Sequence, residues 1–450
     1  MKKVFLSIVG FSMLCRLSAY SQVKHDSTIK KPNFSLYTPV GYDTSDYRPR
    51  RLRVDEIDLF SSYYNQDGQH SAVTGGIGTE KVTDISTGVN LNLVWFDQAM
   101  RKNTLALGLG IDHHTSASSY YVAYSGGASK DGSRIYPSLE WSIENTKTGS
   151  TYGIGSYFSH EYNYQSIGFD ANWSQKTEDK NGELGIKLQG YFDQVTQILP
   201  SEFVPPPTYV PPGSTTYTTP SGRTVITSTT GQTITAPLTY KPRTTLTAAL
   251  SYSQVINSKL QVMFLGDLVY QEGDLGLPFH RVYGPSFTNI ATINGVSTNT
   301  HDAVEKLPST RIKLPIGVRA NYFLGDNIIL RSYYRYFVDD WGIKAHTINL
   351  EAVYKISPFF SISPFYRFYT QTAAKYFAGY NEHSVTEQYY TSNYEYSNFN
   401  SQFVGAGLRL APPKGVFGIQ NLHELELRYG HYLTTEQLSS NVISLSLGFK

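Results

Sequence analysis

The stretch "DHHTSAS" contains the residue types that nucleophilic catalysis uses. Asp112, His113, His114, Ser116 and Ser118 stand there within seven positions. Serine, histidine and aspartate relay a proton only when they converge in space. Neighbouring side chains of an extended strand point to opposite faces, so their adjacency does not bring them together. We therefore predict that the chain is not an enzyme, and a lipid-active enzyme remains the third alternative.

Histidines in separate segments could also approach a metal ion. His280 lies in "PFHRVY" and His346 in "IKAHT", far along the chain from His113 and His114. Their spacing matches no zinc-site pattern. The segment "GGIGTEK" lacks the Gly-Lys-Ser/Thr ending of a phosphate-binding loop and is interpreted as a flexible outer loop. We therefore predict no metal and no cofactor.

Charged residues alternate with apolar ones along many segments. In "RIKLPIGVRANYFL", Ile312, Leu314 and Ile316 occupy one phase, and Arg311 and Lys313 occupy the other. A period of two is typical of a strand. An unpaired charge in a dry core costs several kcal/mol, whereas a charge that faces an aqueous lumen does not carry that cost. The pattern favours strands with one face in lipid and the other in water.

About sixteen such segments are present, within a range of about 14 to 18. Short and long connections alternate between them, and the long ones lie near residues 65–81, 113–133, 197–243, 272–309 and 372–401. Barrels of the outer membrane have short periplasmic turns and long external loops. The sequence predicts an all-β fold: a transmembrane antiparallel up-and-down β-barrel of about sixteen strands, with extracellular long loops.

The N-terminus indicates export. Lys2 and Lys3 precede an apolar run that ends near Ala19 and Ser21, as in a secretory signal peptide. We predict a signal peptide over residues 1–21, a periplasmic lead-in over 22–50 and an outer-membrane barrel over 51–450. The one cysteine, Cys15, lies in the segment removed. The net charge of +2 gives no reason to expect nucleic acid.

Alternate residues of each predicted strand face opposite sides of the wall, and we call this alternation the strand parity. It assigns a set of charged residues to the lumen. The predicted basic wall consists of Arg311, Lys313, Arg319, Arg331, Arg335, Arg367, Arg409 and Arg428. The predicted acidic wall consists of Glu56, Asp58, Asp84, Glu140, Glu144, Asp193 and Asp267. Opposed walls of opposite sign would set a transverse field across a water-filled pore. In the alternative, these charges pair between neighbouring strands and loops plug the pore, so that Arg409 meets Glu424 or Glu426.

Two connections carry further expectations. The segment over residues 201–235 is rich in Pro, Thr and Ser and is interpreted as a mobile external loop, with a surface-binding or lumen-folding loop as the alternative. The motif "DDWG", Asp339 to Gly342, is interpreted as a tight external turn, because Asp and Gly favour turn conformations.

Several motifs resemble those of known exported proteins. The ending "SLSLGFK", with Leu445, Leu447 and Phe449 in one phase, resembles the C-terminal assembly signal of Gram-negative outer-membrane barrels, although Lys450 follows the aromatic residue. This resemblance implies recognition by the barrel-assembly machinery. "RIYPSLEWSIENTKTG", "GLPFHRVY", "APPKGVFG" and "LELRYGHY" are similar to an uncharacterised family, a domain of unknown function, which supplies no catalytic residue.

The prediction for function combines these points. We expect a passive channel or transport component for small polar solutes, surrounded by outer-membrane lipids. The alternative is a surface-assembly or binding protein that a plugged barrel anchors, without transport. The sequence leaves the solute and the oligomeric state open.

Overall fold

The computed structural model describes residues 51–115, 131–197, 208–210, 213–218, 224–229, 232–234, 239–277, 280–293 and 296–450. Sixteen strands close into one barrel, and we number them in chain order. They are β1 Arg53–Asp67, β2 Val82–Phe96, β3 Lys102–Thr115, β4 Asp131–Asn145, β5 Ser150–Glu161, β6 Tyr164–Lys176, β7 Gly182–Gln197, β8 Thr239–Asn257, β9 Leu260–Gly273, β10 Thr310–Leu324, β11 Ile328–Asp339, β12 Lys344–Ser357, β13 Phe360–Gln371, β14 Phe399–Leu410, β15 Leu422–Thr434 and β16 Ser439–Phe449. The predicted fold and strand number are confirmed.

Each strand pairs antiparallel with the next one in the chain, and the last strand returns to the first. In the closing pair Leu59 lies opposite Leu447 and Ser61 lies opposite Leu445. Closure leaves no strand edge, so the strands satisfy one another's backbone hydrogen bonds without water. This is the condition that a strand-built wall must meet in a bilayer.

The outer face of the wall is apolar. On β10 the side chains of Ile312, Leu314 and Ile316 are 47%, 41% and 51% exposed, whereas Arg311, in the other phase, is 5% exposed. The other barrel strands contribute exposed side chains such as Leu139, Leu188 and Leu350. A closed sixteen-strand barrel with an apolar exterior is a membrane-spanning barrel of the outer-membrane type.

Helices contribute almost nothing to the wall. Among the described residues, three single-turn 3₁₀ helices lie in connections, at Ala72–Thr74, Tyr394–Tyr396 and Val416–Gly418. Across the described ranges, no helix has both the length and the apolar character needed to cross a bilayer.

The connections differ between the two ends of the barrel. At the end that carries both chain termini of the barrel, the turns are short, from 258–259 to 97–101 and 177–181, except for 411–421. At the other end, which we call the outer end, the long connections include 68–81, 274–309 and 372–398, but 162–163, 340–343 and 435–438 are short. The predicted tight turn at Asp339–Gly342 is confirmed, because the Gly342 N–H donates to the Asp339 carbonyl at 3.2 Å.

The Pro-rich connection between β7 and β8 contains more regular structure than a loop. Thr208–Val210 pairs with Gln232–Ile234, and Gly213–Thr218 pairs with Thr224–Thr229. The segment interpreted as a mobile external loop thus contains two short strand pairs within its described residues.

Two apolar clusters lie in the outer connections. One joins Leu275, Trp341, Ile343, Ala374 and Tyr396. The other joins Val282, Phe287 and Ala303. Both draw on connections between strands, so buried apolar packing is concentrated at the outer end.

Candidate functional site

The predicted acidic residues lie on the same face of the barrel wall. Glu56 and Asp58 lie on β1, Asp84 on β2, Glu140 and Glu144 on β4, Asp193 on β7 and Asp267 on β9, each in the phase opposite the exposed apolar side chains. Some have basic partners nearby: Lys176 Nζ lies 2.9 Å from Glu144, and Arg243 Nε lies 3.0 Å from Asp193.

The predicted basic residues occupy the corresponding face of the later strands. Arg311, Lys313 and Arg319 lie on β10, Arg331 and Arg335 on β11, Arg367 on β13, Arg409 on β14 and Arg428 on β15. Arg409 Nη2 lies 2.8 Å from Glu424 Oε2, one of the two partners that the pairing alternative names. Arg428 lies 3.0 Å from Glu351 and 3.2 Å from Glu426.

A row of arginine and aromatic side chains crosses the basic strands at one level. Arg319 lies opposite Tyr333, and Arg367 lies opposite both Asn349 and Phe403. The guanidinium carbon of Arg319 is 5.6 Å from the Tyr333 ring centre, and that of Arg367 is 5.8 Å from the Phe403 ring centre. Aromatic faces attract guanidinium groups at such distances. This row is able to attract the anionic group of a solute.

Three outer connections meet one another. We call residues 68–81 loop A, the described residues of 274–309 loop B and residues 372–398 loop C, and together they are the lid. Arg281 of loop B donates from Nη1 to the Val73 carbonyl of loop A at 3.1 Å. Loop A joins β1 to β2 and loop B joins β9 to β10, so they arise eight strands apart in a ring of sixteen. Loops from opposite sides can touch only across the mouth, and the lid therefore spans it.

Glycines allow loop A to approach the other two loops. Gly75 and Gly76 have φ of 76° and 91°, a backbone region that favours glycine. A Cβ at Gly75 would lie 2.5 Å from the Tyr283 ring, and one at Gly76 would lie 2.9 Å from the Ser392 carbonyl oxygen. The interpretation of "GGIGTEK" as a flexible outer loop was wrong, because this segment packs against loops B and C.

The lid has a buried polar interior. His280, Arg281, His383, Thr391 and Ser392 are at most 1% exposed. The carboxyl of Glu305 accepts hydrogen bonds from Thr391 Oγ1 at 2.5 Å and from the Leu277 N–H at 2.8 Å. Burial raises the pKa of Glu305 to about 7 and lowers the pKa of His280 to about 3. Near neutral pH the Glu305 carboxyl therefore titrates while His280 stays neutral.

The lid also rests on the wall. Arg311 of β10 donates from Nε to Asp339 Oδ2 at 2.8 Å, and its guanidinium carbon is 4.3 Å from the Trp341 ring and 5.4 Å from the Tyr396 ring of loop C. Gln371 of β13 donates from Nε2 to the carbonyls of Glu395 and Ser397. The structure thus places Arg311 beneath the lid.

Comparison with known families decides the affiliation. The family model described as "Protein of unknown function (DUF3570)" matches residues 129–441. The chain belongs to that family. No curated protein sequence matches it significantly.

Solved structures resemble this DUF3570 member in barrel fold alone. Pseudomonas aeruginosa OccK9 (OpdG) gives a TM-score of 0.40 at 9% identity, over 88% of this chain and 98% of that one. OmpT, an outer membrane protein of Vibrio cholerae, as a loop deletion mutant, gives 0.40 at 10% identity, over 88% and 99%. A BenF-like porin from Pseudomonas fluorescens Pf-5 gives 0.39 at 8% identity, over 90% and 100%.

The histidines of this family member lie at separate places. His113 Nδ1 lies 2.9 Å from Ser133 Oγ, and His114 lies 3.4 Å from Glu161. His280 lies in loop B, and His346 on β12 contacts the Tyr334 hydroxyl at 2.8 Å. Ser116 and Ser118 fall outside the described residues. Within the described ranges, no three side chains of the His, Cys, Asp and Glu types cluster as metal ligands would.

The assembly-signal residues lie on the closing strand. Leu445, Leu447 and Phe449 of β16 pair with Ser61, Leu59 and Ile57 of β1. Their interaction with an assembly machinery stays a prediction.

No sequence pattern identified Arg281, Glu305 and Thr391 as residues that join the outer connections. A signal was present in loop B, where "RVY" and "DAV" are short β-prone runs. They pair as strands, with Val282 opposite Ala303. Apolar pairs of this kind are unusual in a loop that water surrounds on all sides.

Proposed function

We propose that the protein is a passive outer-membrane channel for small polar solutes, with a lid at its outer mouth. The observation that supports this most directly is the set of charged side chains on the inward phase of a closed wall, with mostly acidic residues on β1–β9 and mostly basic residues on β10–β15. A sixteen-strand barrel leaves an aqueous lumen. Water in that lumen would account for charges that a packed core excludes.

The two arcs of the wall give the proposed channel a preferred solute class. Consecutive strands are neighbours in space, so the acidic arc and the basic arc face each other across the barrel. Ion pairs inside each arc, such as Lys176–Glu144 and Arg409–Glu424, weaken the field but leave an excess of opposite sign on each side. A transverse field orients dipolar solutes and disfavours apolar ones.

Planar-bilayer recording tests the channel. We expect discrete conductance steps from the purified protein. The double variant Arg335→Gln and Arg367→Gln removes two positive charges from the basic arc, so the reversal potential in a salt gradient should move toward cation selectivity. Ile348→Val changes a lipid-facing side chain of β12 (42% exposed) and should leave the reversal potential unchanged.

An absence of conductance would support the alternative function, a surface-assembly or binding protein that a plugged barrel anchors. If neither the native protein nor a variant with a loosened lid, Arg281→Met, gives conductance steps at any voltage, the lumen is not a path for solutes. The structure offers Arg281→Met for this purpose because its guanidinium bridges loops B and A.

A further inference from the structure

Loops B and C meet at one carboxyl group. Glu305 of loop B is 2% exposed in its side chain and accepts a hydrogen bond from Thr391 of loop C. The next residue, Lys306, exchanges backbone hydrogen bonds with Tyr390 of loop C at 2.8 and 3.2 Å. The Glu305 N–H donates to the His280 carbonyl at 3.1 Å within loop B. The carboxyl therefore lies at the seam between two of the three loops that close the mouth.

We propose that the lid is a pH-responsive gate with Glu305 as its latch, closed while the carboxyl carries its proton and released when the carboxyl ionises. This proposal rests on the channel function proposed above. It makes passage through the barrel depend on the pH at the outer surface.

Burial and the neighbouring carboxylates disfavour the charged form of Glu305, and they outweigh the hydrogen bonds from Thr391 Oγ1 and the Leu277 N–H, which favour it. His280 Nδ1 lies 3.3 Å from Oε1 but is held neutral by burial. Asp274 of loop B and Glu395 of loop C act on the carboxyl as like charges, and Tyr396 also lies within electrostatic range. His383 of loop C, beyond Thr391, places Nδ1 2.6 Å from the accepting Glu387 Oε2 and Nε2 3.0 Å from the Thr391 carbonyl oxygen.

The sign of the pH dependence follows from the raised pKa. The ordinary value for this carboxyl is 4.5, and in the closed lid burial raises the pKa to about 7. An acid with a raised pKa stabilises the closed state fully below its ordinary value, and that stabilisation is lost as the pH rises through the raised value. Ionisation places a negative charge in a dry seam beside Asp274 and Glu395. The gate should open as the pH rises above about 7.

Current recordings across a pH series give the first test. The open-to-closed ratio of the native channel should rise by up to about tenfold per pH unit above pH ~7. Glu305→Gln keeps the shape and the neutral state, so it should stay closed across the series. The matched control is Glu382→Gln, which removes an exposed carboxyl of the same loop C, hydrogen-bonded to the Gly379 N–H. The control should follow the native curve.

A crosslink across the seam gives a readout that needs no current. The hydroxyl oxygens of Ser286 in loop B and Ser384 in loop C are 3.5 Å apart, and Cys15, in the predicted signal peptide, is the one cysteine of the chain. We compare the disulfide yield of Ser286→Cys with Ser384→Cys in the native and the Glu305→Gln background. Thiol ionisation affects the disulfide yield equally in both backgrounds. The ratio of the two yields therefore reports on closure of the lid.

The outcomes separate the latch from the channel. We expect equal yields below pH ~6 and a yield in the native background that falls up to about tenfold per unit below that of Glu305→Gln above pH ~7. A ratio that stays at one across the series overturns the latch, even if the channel conducts. A ratio that changes in a protein that never conducts supports the latch and overturns the proposed channel.

Discussion

The wall and the lid differ in how the sequence determines the surroundings of each residue. In the wall each residue's environment follows from its parity, so Ile316 is 51% exposed to the lipid side while Arg311 of the same strand is 5% exposed. In the lid, contacts join segments such as Arg281 and Val73, which are 208 positions apart. The wall is therefore specified by local alternation, and the lid by side chains that meet only after the barrel has closed.

The two regions also treat charge differently. Some wall charges stay in contact with solvent, such as Arg409 with 51% of its side chain exposed, whereas Arg311, beneath the lid, is buried. Lid charges such as Arg281 and Glu305 are almost completely buried. Burial makes a charge depend on its partner, because its desolvation must be offset by specific contacts. Charges buried in the lid or directly beneath it should therefore respond more strongly to single substitutions than the solvated charges of the wall.

The largest effect is expected where the lid rests on the wall. Arg311→Met would leave Asp339 buried without its guanidinium partner, and such a loss costs about 3–5 kcal/mol. Urea unfolding in lipid vesicles, followed by tryptophan fluorescence, measures the free energy of unfolding. Adding Asp339→Asn should recover part of the loss, since it removes the buried charge. No recovery would mean that the ion pair is not the cause.

A charge on the lipid face tests the parity of the wall. Leu139→Arg places a guanidinium on the exposed apolar face near the middle of β4, at a cost of about 2–4 kcal/mol. Ser138→Arg, one position away and on the lumen phase, should change the free energy of unfolding by less than about 1 kcal/mol. Equal losses from the two variants would contradict the assigned faces.

A methyl group in loop A tests the lid packing. Gly76→Ala combines a positive φ with a Cβ that would press on Ser392, so we expect a loss of about 1–3 kcal/mol that is confined to the lid. Gly418→Ala has a similar φ of 80° but no atom within 4 Å of the new Cβ. Hydrogen exchange of loop A and loop C amides should quicken in the first variant and not in the second. Unchanged exchange in Gly76→Ala would count against the close approach of the loops.

The smallest effect is expected in the exposed part of the wall. Arg409→Gln breaks the ion pair with Glu424, but the half-exposed guanidinium makes the pair worth about 0.2–1 kcal/mol. The same urea titration measures this difference. A loss as large as that of Arg311→Met would remove the distinction between the solvated wall and the buried contact.

The sequence was sufficient for the wall because a period of two is a local signal. The alternation in "RIKLPIGVRANYFL" predicted a strand where the structure has β10, Thr310–Leu324. The faces of Arg409 and Glu424 also followed from parity. Their mutual distance did not, since it depends on register and rotamer.

The lid could not be predicted in the same way. Gly75, Gly76 and Tyr283 carry no periodic pattern, and glycines in a loop are equally compatible with a solvated turn. In the sequence, Glu305 resembles any other polar loop residue. Only the structure shows that it contacts Thr391 and Leu277. Loops from opposite sides of the barrel can contact each other only after the barrel has closed. The two short strand pairs of the Pro-rich connection were not predicted either.

The most direct test of the central claim compares two neighbouring positions of the closing strand. Single spin labels at Leu445 and Ser446, attached through introduced cysteines in lipid vesicles, report whether each position contacts hydrocarbon or water. The alternation predicts that the label at Leu445 is accessible to oxygen dissolved in the bilayer and that the label at Ser446 is accessible to a water-soluble relaxation agent. The same accessibility at both positions would contradict a wall with one face in lipid and the other in an aqueous lumen.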